Sequence, residues 1–298
     1  MEKSRVALMK GDDRYQNVLQ ALEAIQDDID LTGKRRVVVK PNFVSVYIPQ
    51  ATTHVDAVRA VLDFLKARGV TGVTLAEGPA SGTLQKGIRS YGYQPLIDAY
   101  HLRTVDLNED DPVEIEVYDD KLRSMRLPVA RTLVESDYRI SVGPPKTHDT
   151  VVATLSLKNL AVGSIIGRKR RVHQGYPGIN LNLYKLAYHV APHLSVIDGF
   201  RAMEGNGPVN GRPVDWKIAI ASADFLAADS LGAQLMGFTL EEIGYLYYCQ
   251  LKGLGQGNRE EMELVGNASF DEVRRKFQPH HSYHSQLNWK IPQVEQYL

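Results

Sequence analysis

The 298-residue sequence contains one cysteine, Cys249, and has no net charge, because 35 lysines and arginines balance 35 aspartates and glutamates. A single cysteine excludes a disulfide framework, a four-cysteine zinc site and an iron–sulfur cluster held by this chain alone. The zero net charge argues against nucleic-acid binding through bulk charge, although it is compatible with a local basic patch. No apolar run reaches the roughly 18 residues that a membrane-spanning helix needs. We therefore expect neither a membrane nor a nucleic acid as partner.

The start of the chain is also poor in apolar residues. Residues 1–5 read MEKSR and lead directly into a strand-like VALM. Because the apolar core of a signal peptide is missing, we expect a cytoplasmic location. The length fits one large domain or two ordinary ones. The glycine-rich stretch 163–178 suggests an α/β lobe over residues 1–175 and a second over 176–298, continuous with the first or packed on it.

Strand-like and helix-like patterns alternate along the chain. Residues 36–40 and 72–76 form short β-branched or apolar runs, and residues 55–65 between them carry apolar side chains at helical spacing. Residues 113–118 and 124–129 instead alternate around two aspartates, which is typical of a half-exposed hairpin. The predicted fold class is α/β, with a mainly parallel sheet flanked by helices and an antiparallel hairpin appendage.

Polar or glycine-bearing loops follow four of the predicted strands. These loops cover residues 40–45, 77–82, 144–149 and 198–207. The carboxyl ends of parallel strands meet at one edge of a sheet, where ligands of α/β proteins bind. The sequence therefore predicts one cleft, lined from these loops by Lys40, Asn42, Glu77, Gly78, Ser81, Lys146, His148, Asp198 and Glu204.

Two of these loops allow more than one interpretation. Lys40 follows three valines, so its buried ammonium needs a partner: either a carboxylate such as Glu77, or a bound anion with Asn42 as a further donor. The loop that contains Gly78 and Ser81 either presents N–H groups to a phosphate or carboxylate, or is a plain turn between strand and helix.

Basic residues concentrate between residues 143 and 175. His148 follows a turn from a buried strand, and Lys158 lies in an otherwise apolar helical pattern. A partly desolvated lysine acts as a base, a nucleophile or a partner for carbonyl adducts, whereas a snorkelling surface lysine does none of these. Arg168 and His173 complete the candidate set, and the run around Arg168 is either an anion-binding element or a solvated basic face.

Several ordered motifs resemble the widespread domain-of-unknown-function family 362. They are Lys40-Pro-Asn, Glu77-Gly-Pro, the stretch 146–159 that ends Leu-Lys-Asn, and the glycine-rich stretch 198–208. The resemblance covers about residues 35 to 240 and implies a fold and a site more than a reaction. Many members carry an appended ferredoxin-like module with two iron–sulfur clusters. The single cysteine of this chain predicts no such cluster.

A more distant resemblance is to the nickel-pincer lactate racemase family, in which a lysine tethers a nickel cofactor and two histidines exchange the substrate proton. It implies that His148 and Lys158 match one such histidine and the lysine, and that His173 lies near a later ligand histidine. Ala80 stands where the other histidine is expected, and Ser156-Leu157 replaces a glycine pair. The cofactor therefore stays unknown, with nickel only a remote alternative and no simple metal site predicted.

These observations lead to one main functional hypothesis. The protein is predicted to be an enzyme or cofactor-dependent protein that acts on a small anionic carboxylate or phosphate, as a lyase or isomerase that uses acid–base chemistry. His148 would be the acid or base, and Lys158 a base, tether or electrostatic stabiliser. The alternative is a non-catalytic module that binds a ligand or a partner. A homo-oligomer is compatible with either.

Overall fold

The computed structural model describes residues 3–298. Its strands are β1 (Ser4–Lys10), β2 (Val37–Lys40), β3 (Thr74–Glu77), β4 (Arg103–Asp106), β5 (Pro112–Tyr118), β6 (Ser124–Ala130), β7 (Tyr138–Gly143), β8 (Lys146–Thr147), β9 (Ala153–Thr154), β10 (Leu194–Glu204), β11 (Arg212–Ser222) and β12 (Met262–Gly266). Its α-helices are α1 (Arg14–Ala24), α2 (Val55–Ala67), α3 (Leu84–Ser90), α4 (Gln94–Tyr100), α5 (Arg131–Val134), α6 (Ser156–Gly163), α7 (Gly175–Val190), α8 (Phe225–Leu235), α9 (Gly244–Leu251), α10 (Phe270–Val273) and α11 (Tyr283–Gln286).

One sheet runs through the molecule in the order β12-β1-β11-β10-β7-β2-β3-β4, with the short strands β8 and β9 attached to β10. Along this path through residues 3–298, β11 alone is antiparallel to its neighbours. The sheet is therefore mostly parallel, which confirms the predicted α/β class. Strands from both sides of residue 175 take part in it.

Both faces of the sheet are buried, because successive side chains along its central strands belong to different hydrophobic cores. In β2, Val38 belongs to one core, whereas Val37 and Val39 belong to the other. The first core contains the buried sides of α6 to α9, and the second those of α1 and α2. Because successive side chains of a strand point to opposite faces, a short all-apolar run is what a strand covered on both sides requires.

The predicted hairpin is also present, as the separate two-stranded antiparallel sheet of β5 and β6. Asn182 of α7 holds it, because its amide accepts from Tyr118 N at 2.8 Å and donates to Tyr118 O at 2.8 Å. The strand β4, which precedes the hairpin, pairs parallel to β3 in the main sheet. The appendage thus consists of the hairpin alone.

The parallel arrangement brings the loops after β2, β3 and β7 to one edge of the sheet. Local contacts shape the first of these loops. Thr53 Oγ1 accepts from Asn42 N at 2.7 Å and donates to Val142 O at 2.8 Å, and so fixes the loop against β7. The capping of the following helix α2 falls to His54, whose side chain accepts from Asp56 N. The Thr53 hydroxyl does not cap α2 and instead stabilises the edge of the sheet where the candidate site lies.

Candidate functional site

A cavity of about 190 Å³ opens at this edge of the sheet. The candidates that line it are Lys40, Asn42, Glu77, Gly78, His148, Lys158 and His173. They come from four separate segments: the ends of β2 and β3, the loop after β8, and the region from α6 to the start of α7. The parallel topology thus brings together most of the residues selected from the sequence.

The other candidates lie elsewhere. Ser81 and Arg168 are exposed, and the residue that turns inward from the basic run is Lys169. Glu204 pairs with Arg212 at 3.1 Å, away from the cavity.

Asp198 lines a different and larger cavity of about 860 Å³, where it pairs with Arg14 at 3.2 Å. Asp198 follows Ile197, which belongs to the core with α6 to α9, so the Asp198 side chain projects to the opposite face of the sheet, where α1 carries Arg14. β10 itself continues to Glu204. The loop predicted over residues 198–207 is therefore mostly strand.

Lys40 forms the ion pair that one interpretation of the sequence proposed. Its Nζ lies 2.6 Å from Glu77 Oε2, and both side chains are almost fully buried. The same Nζ donates to Asn159 Oδ1 at 2.7 Å and to Pro41 O at 3.0 Å. All three ammonium protons are thereby engaged, so Lys40 holds the wall of the cavity and has no donor left for an anion.

Lys146 does not line the cavity itself but contacts Asn42, which does. It is fully buried, and its Nζ donates to Asn42 Oδ1 and, at 2.7 Å, to Ala51 O. Asn42 in turn donates to Asn159 Oδ1 at 2.8 Å, which joins Lys146 to the Lys40–Glu77 pair. Burial lowers the pKa of Lys146 to about 7, and the nearby charge of Lys158 contributes.

Lys158 projects from α6 and is only 6% exposed. Burial lowers its pKa to about 8, with Asp149 acting in the opposite direction and Lys40 adding to the shift. Within residues 3–298 the Nζ of Lys158 has neither a hydrogen bond nor an ion pair. A buried amine that forms no direct ion pair with Asp149, the carboxylate that favours its charge, is an unusual feature of the cavity.

The helix α6 owes its position to Asp229, a fully buried residue of α8. One carboxylate oxygen accepts from Ser156 N at 2.7 Å and the other from Leu157 N at 2.8 Å. Because Leu155 at the start of α6 provides no side-chain cap, Asp229 serves as the cap from another helix. It thereby orients the turn that carries Lys158.

We expect Asp229→Ala to lower the free energy of unfolding by about 2 kcal/mol, since two buried N–H groups lose their acceptors. Urea denaturation measures the change. Asp13→Ala is the matched control, because Asp13 caps α1 through an exposed hydrogen bond to Gln16 N at 3.0 Å and should cost about 1 kcal/mol or less. Equal losses in the two variants would contradict the cross-helix cap.

His148 is 3% exposed, and its Nδ1 has two partners in its own loop. Asp149 Oδ1 lies 3.0 Å from this nitrogen, and Thr150 N donates to it at 3.1 Å. A proton on Nδ1 is donated to Asp149 and leaves Nε2 as a base, whereas a proton on Nε2 leaves Nδ1 to accept from Thr150. Both neutral tautomers are therefore supported, and His148 can act as acid or base.

His173 faces the same cavity, with its ring centroid 6.3 Å from that of His148. Burial and the charge of Lys158 lower the pKa of His148 to about 3 and that of His173 to about 4. Both rings are neutral at pH 7. A bound anion would raise both values towards neutrality, because it favours the protonated form.

Reasoning from the sequence missed three residues of this site. Asn159 connects Lys40 to Asn42. Its position directly after Lys158 in the Leu-Lys-Asn motif was the sequence signal that could have identified it. Lys169 was hidden in the basic run, yet its Nζ donates to Gly163 O at 3.1 Å. Gly163 leaves no room for a side chain, because a Cβ atom there would lie 2.1 Å from Lys40 Cε.

The cavity wall contains Lys158 and His173 but lacks one of the two proton-exchanging histidines of the racemase resemblance. Ala80 lines the cavity at the position where the racemase resemblance expects a histidine. Across residues 3–298, no three His, Cys, Asp or Glu side chains are grouped so that they could hold a metal ion.

Comparisons with known proteins give a family and two relatives. The family described as "Domain of unknown function (DUF362)" matches residues 37–234. Thylakoid-associated protein sll1697 from Synechocystis sp. (strain ATCC 27184 / PCC 6803 / Kazusa) is 28% identical over 201 residues, which are 65% of this chain and 60% of that protein. A solved structure, the lactate racemase apoprotein from Thermoanaerobacterium thermosaccharolyticum, aligns with a TM-score of 0.48 at 12% identity, over 77% of this chain and 56% of that one.

The chain therefore spans less than two thirds of the length of either relative. The name of the Synechocystis protein associates that protein with thylakoids. In the part of this chain that the structure describes, no helix is long and apolar enough to cross a membrane. The cytoplasmic location stays a prediction.

Proposed function

The chain belongs to the DUF362 family, and on that premise we propose that it is an enzyme that binds a small carboxylate or phosphate in this cavity and transfers a proton to or from it. The proposal depends on one observation: four buried lysines, Lys40, Lys146, Lys158 and Lys169, lie in or beside the cavity walls, where Glu77 is the buried carboxylate.

The charge balance explains why an anion fits. Glu77 neutralises Lys40, and the ammonium groups of Lys146 and Lys169 have only amide and carbonyl oxygens as partners. Lys158 lacks even these. Because burial of unpaired charge is costly, an anion that enters the cavity offsets a cost already present in the folded protein.

His148 supports the catalytic part of the proposal. Its ring lines the cavity while Asp149 and Thr150 engage its Nδ1, so Nε2 is the nitrogen available to a ligand. A fixed, neutral imidazole beside a bound anion is suited to general acid–base catalysis. Isomerisation and elimination next to a carboxylate both need such a proton transfer, which agrees with the lyase or isomerase class predicted from the sequence.

We expect millimolar inorganic phosphate or propionate to raise the melting temperature of the wild-type protein by several degrees, and to have no effect on Lys158→Met. Methionine is unbranched like lysine, is one heavy atom shorter and carries no charge. Differential scanning fluorimetry at fixed ionic strength measures the shift. Lys121→Met, at an exposed turn of the hairpin, is the matched control and should respond like the wild type.

Equal shifts in the wild type and Lys158→Met, or none in either, would contradict anion binding in this cavity. The catalytic part has its own test. Short carboxylates incubated with the protein in D₂O should lose C–H signal in proton NMR, and His148→Gln should abolish that exchange while phosphate still binds. Binding without exchange for every compound would favour the alternative of a non-catalytic binding module.

A further inference from the structure

We propose that Lys158 forms an imine with a short 2-oxo carboxylate, so that the ligand of this cavity is a carbonyl compound and not merely an anion. The inference rests on the proposed function above, because it assumes that the cavity binds the substrate. It follows from the surroundings of one amine.

Lys158 meets the geometric requirements for a nucleophile. It lines the cavity, it is 6% exposed, and within residues 3–298 no acceptor engages its Nζ. By contrast, the lone pair of a lysine is unavailable when its ammonium is fixed by partners, as Lys40 is by Glu77 and Asn159. Of these two cavity lysines, Lys158 is therefore the one whose nitrogen can turn to a ligand.

The neighbours of Lys158 keep a useful fraction of this amine neutral. Lys40 opposes its charge, Asp149 favours it, and the neutral rings of His148 and His173 contribute no charge. With a pKa of about 8, roughly one Lys158 amine in ten is neutral at pH 7. An ordinary exposed lysine is neutral in only about one molecule in 2,500 at the same pH. Nearby cations and burial are established means of activating a lysine.

Two basic side chains in the cavity wall explain why the proposed ligand carries a carboxylate. Arg170 lines the cavity, and a guanidinium donates two parallel hydrogen bonds to a carboxylate. Lys169 adds positive charge from the same segment. A short 2-oxo carboxylate, whose carbonyl lies next to its carboxylate, fits within a cavity of about 190 Å³.

The proposed step is balanced without an oxidant or reductant. The lone pair of Nζ attacks the carbonyl carbon and forms a C–N bond, while the π pair moves to the oxygen. One N–H proton passes to that oxygen through His148, which gives a carbinolamine. The second N–H proton leaves with the hydroxyl group as water, so that the C–O bond breaks and C=N forms. Amine and ketone thus become imine and water.

The experiment treats the wild-type protein with pyruvate and sodium cyanoborohydride, which reduces an imine to a stable amine, and then maps the modified peptide by mass spectrometry. We expect modification at Lys158 with pyruvate and none with propionate, which lacks the carbonyl. Lys158→Met should lose the adduct, and Lys121→Met should retain it. Because the site is mapped in the wild type, the result does not depend on how well the variants fold.

The pH profile separates this amine from an exposed one. Trapping at Lys158 should increase about tenfold between pH 7 and pH 9, whereas trapping at an exposed lysine should increase about a hundredfold. If pyruvate raises the melting temperature and yet no Lys158 adduct is trapped, the imine is overturned and the anion-binding function stands. If pyruvate, propionate and phosphate all leave the melting temperature unchanged and no adduct forms, both proposals are overturned.

Discussion

Glu77→Gln should lower the free energy of unfolding by about 3 to 5 kcal/mol, because it leaves the Lys40 ammonium buried without a counter-charge. The Lys40 side chain is completely buried and that of Glu77 is 3% exposed, with 2.6 Å between Nζ and Oε2. Glutamine keeps the shape of the side chain and an oxygen for Gly78 N, which donates to Glu77 Oε1 at 3.0 Å. Urea denaturation near pH 7 measures the loss.

Two further variants make this result specific. Glu135→Gln breaks an exposed pair with Arg131 of similar length, 2.8 Å, and should cost less than about 1 kcal/mol. Combining Glu77→Gln with Lys40→Met removes both charges and should recover much of the loss, since the penalty comes from the unpaired charge. A cost below about 1 kcal/mol for Glu77→Gln alone would mean that Lys40 is not held as an ammonium ion.

Lys158→Met should have the opposite effect and raise the free energy of unfolding by about 3 kcal/mol at pH 7. In the folded protein the pKa of Lys158 is about 8, below the ordinary value of 10.5. The unfolded chain therefore binds more protons between these values, so wild-type stability rises with pH from about 8 to 10.5. Below pH 8 the penalty is fully present and this group causes no further change. Removal of the amine removes this penalty, at about 1.4 kcal/mol for each pKa unit.

The pH dependence distinguishes this effect from a simple gain in packing. The difference between Lys158→Met and the wild type should shrink as the pH rises above 8 and vanish near pH 10.5, whereas better packing would persist at every pH. Lys121→Met should stay within about 0.5 kcal/mol of the wild type throughout. A Lys158→Met variant less stable than the wild type at pH 7 would show that a partner holds this amine in solution.

Together the two variants assign different tasks to neighbouring lysines. Lys40 contributes to the architecture, because its ammonium protons are all engaged and Gly163 packs against its stem. On the proposed function, Lys158 reduces stability and provides a reactive amine, a trade-off expected at functional sites. The sequence presents both as a lysine among apolar residues, and only their contacts distinguish them.

The α/β class, the central strands and the detached hairpin could all be predicted from the sequence. The reason is that these features depend on local periodicity: a short apolar run such as 37–39 fits a strand covered on both faces, and alternation over 113–118 fits a half-exposed hairpin. The gathering of Lys40, Gly78 and His148 in one cavity also followed, because parallel strands have their carboxyl ends at one edge.

Only the tertiary structure decided which charges are paired and which side chains enter the cavity. Asp198 points to the opposite face of the sheet, and Glu204 lies further along β10, which is a strand where the sequence predicted a loop. Lys169 and Arg170 line the cavity, whereas Arg168 is exposed. The cap on α6 comes from Asp229, more than 70 residues away in sequence. Strand length, side-chain direction and contacts between distant residues depend on the packing of the whole chain, and local sequence patterns carry no record of that packing.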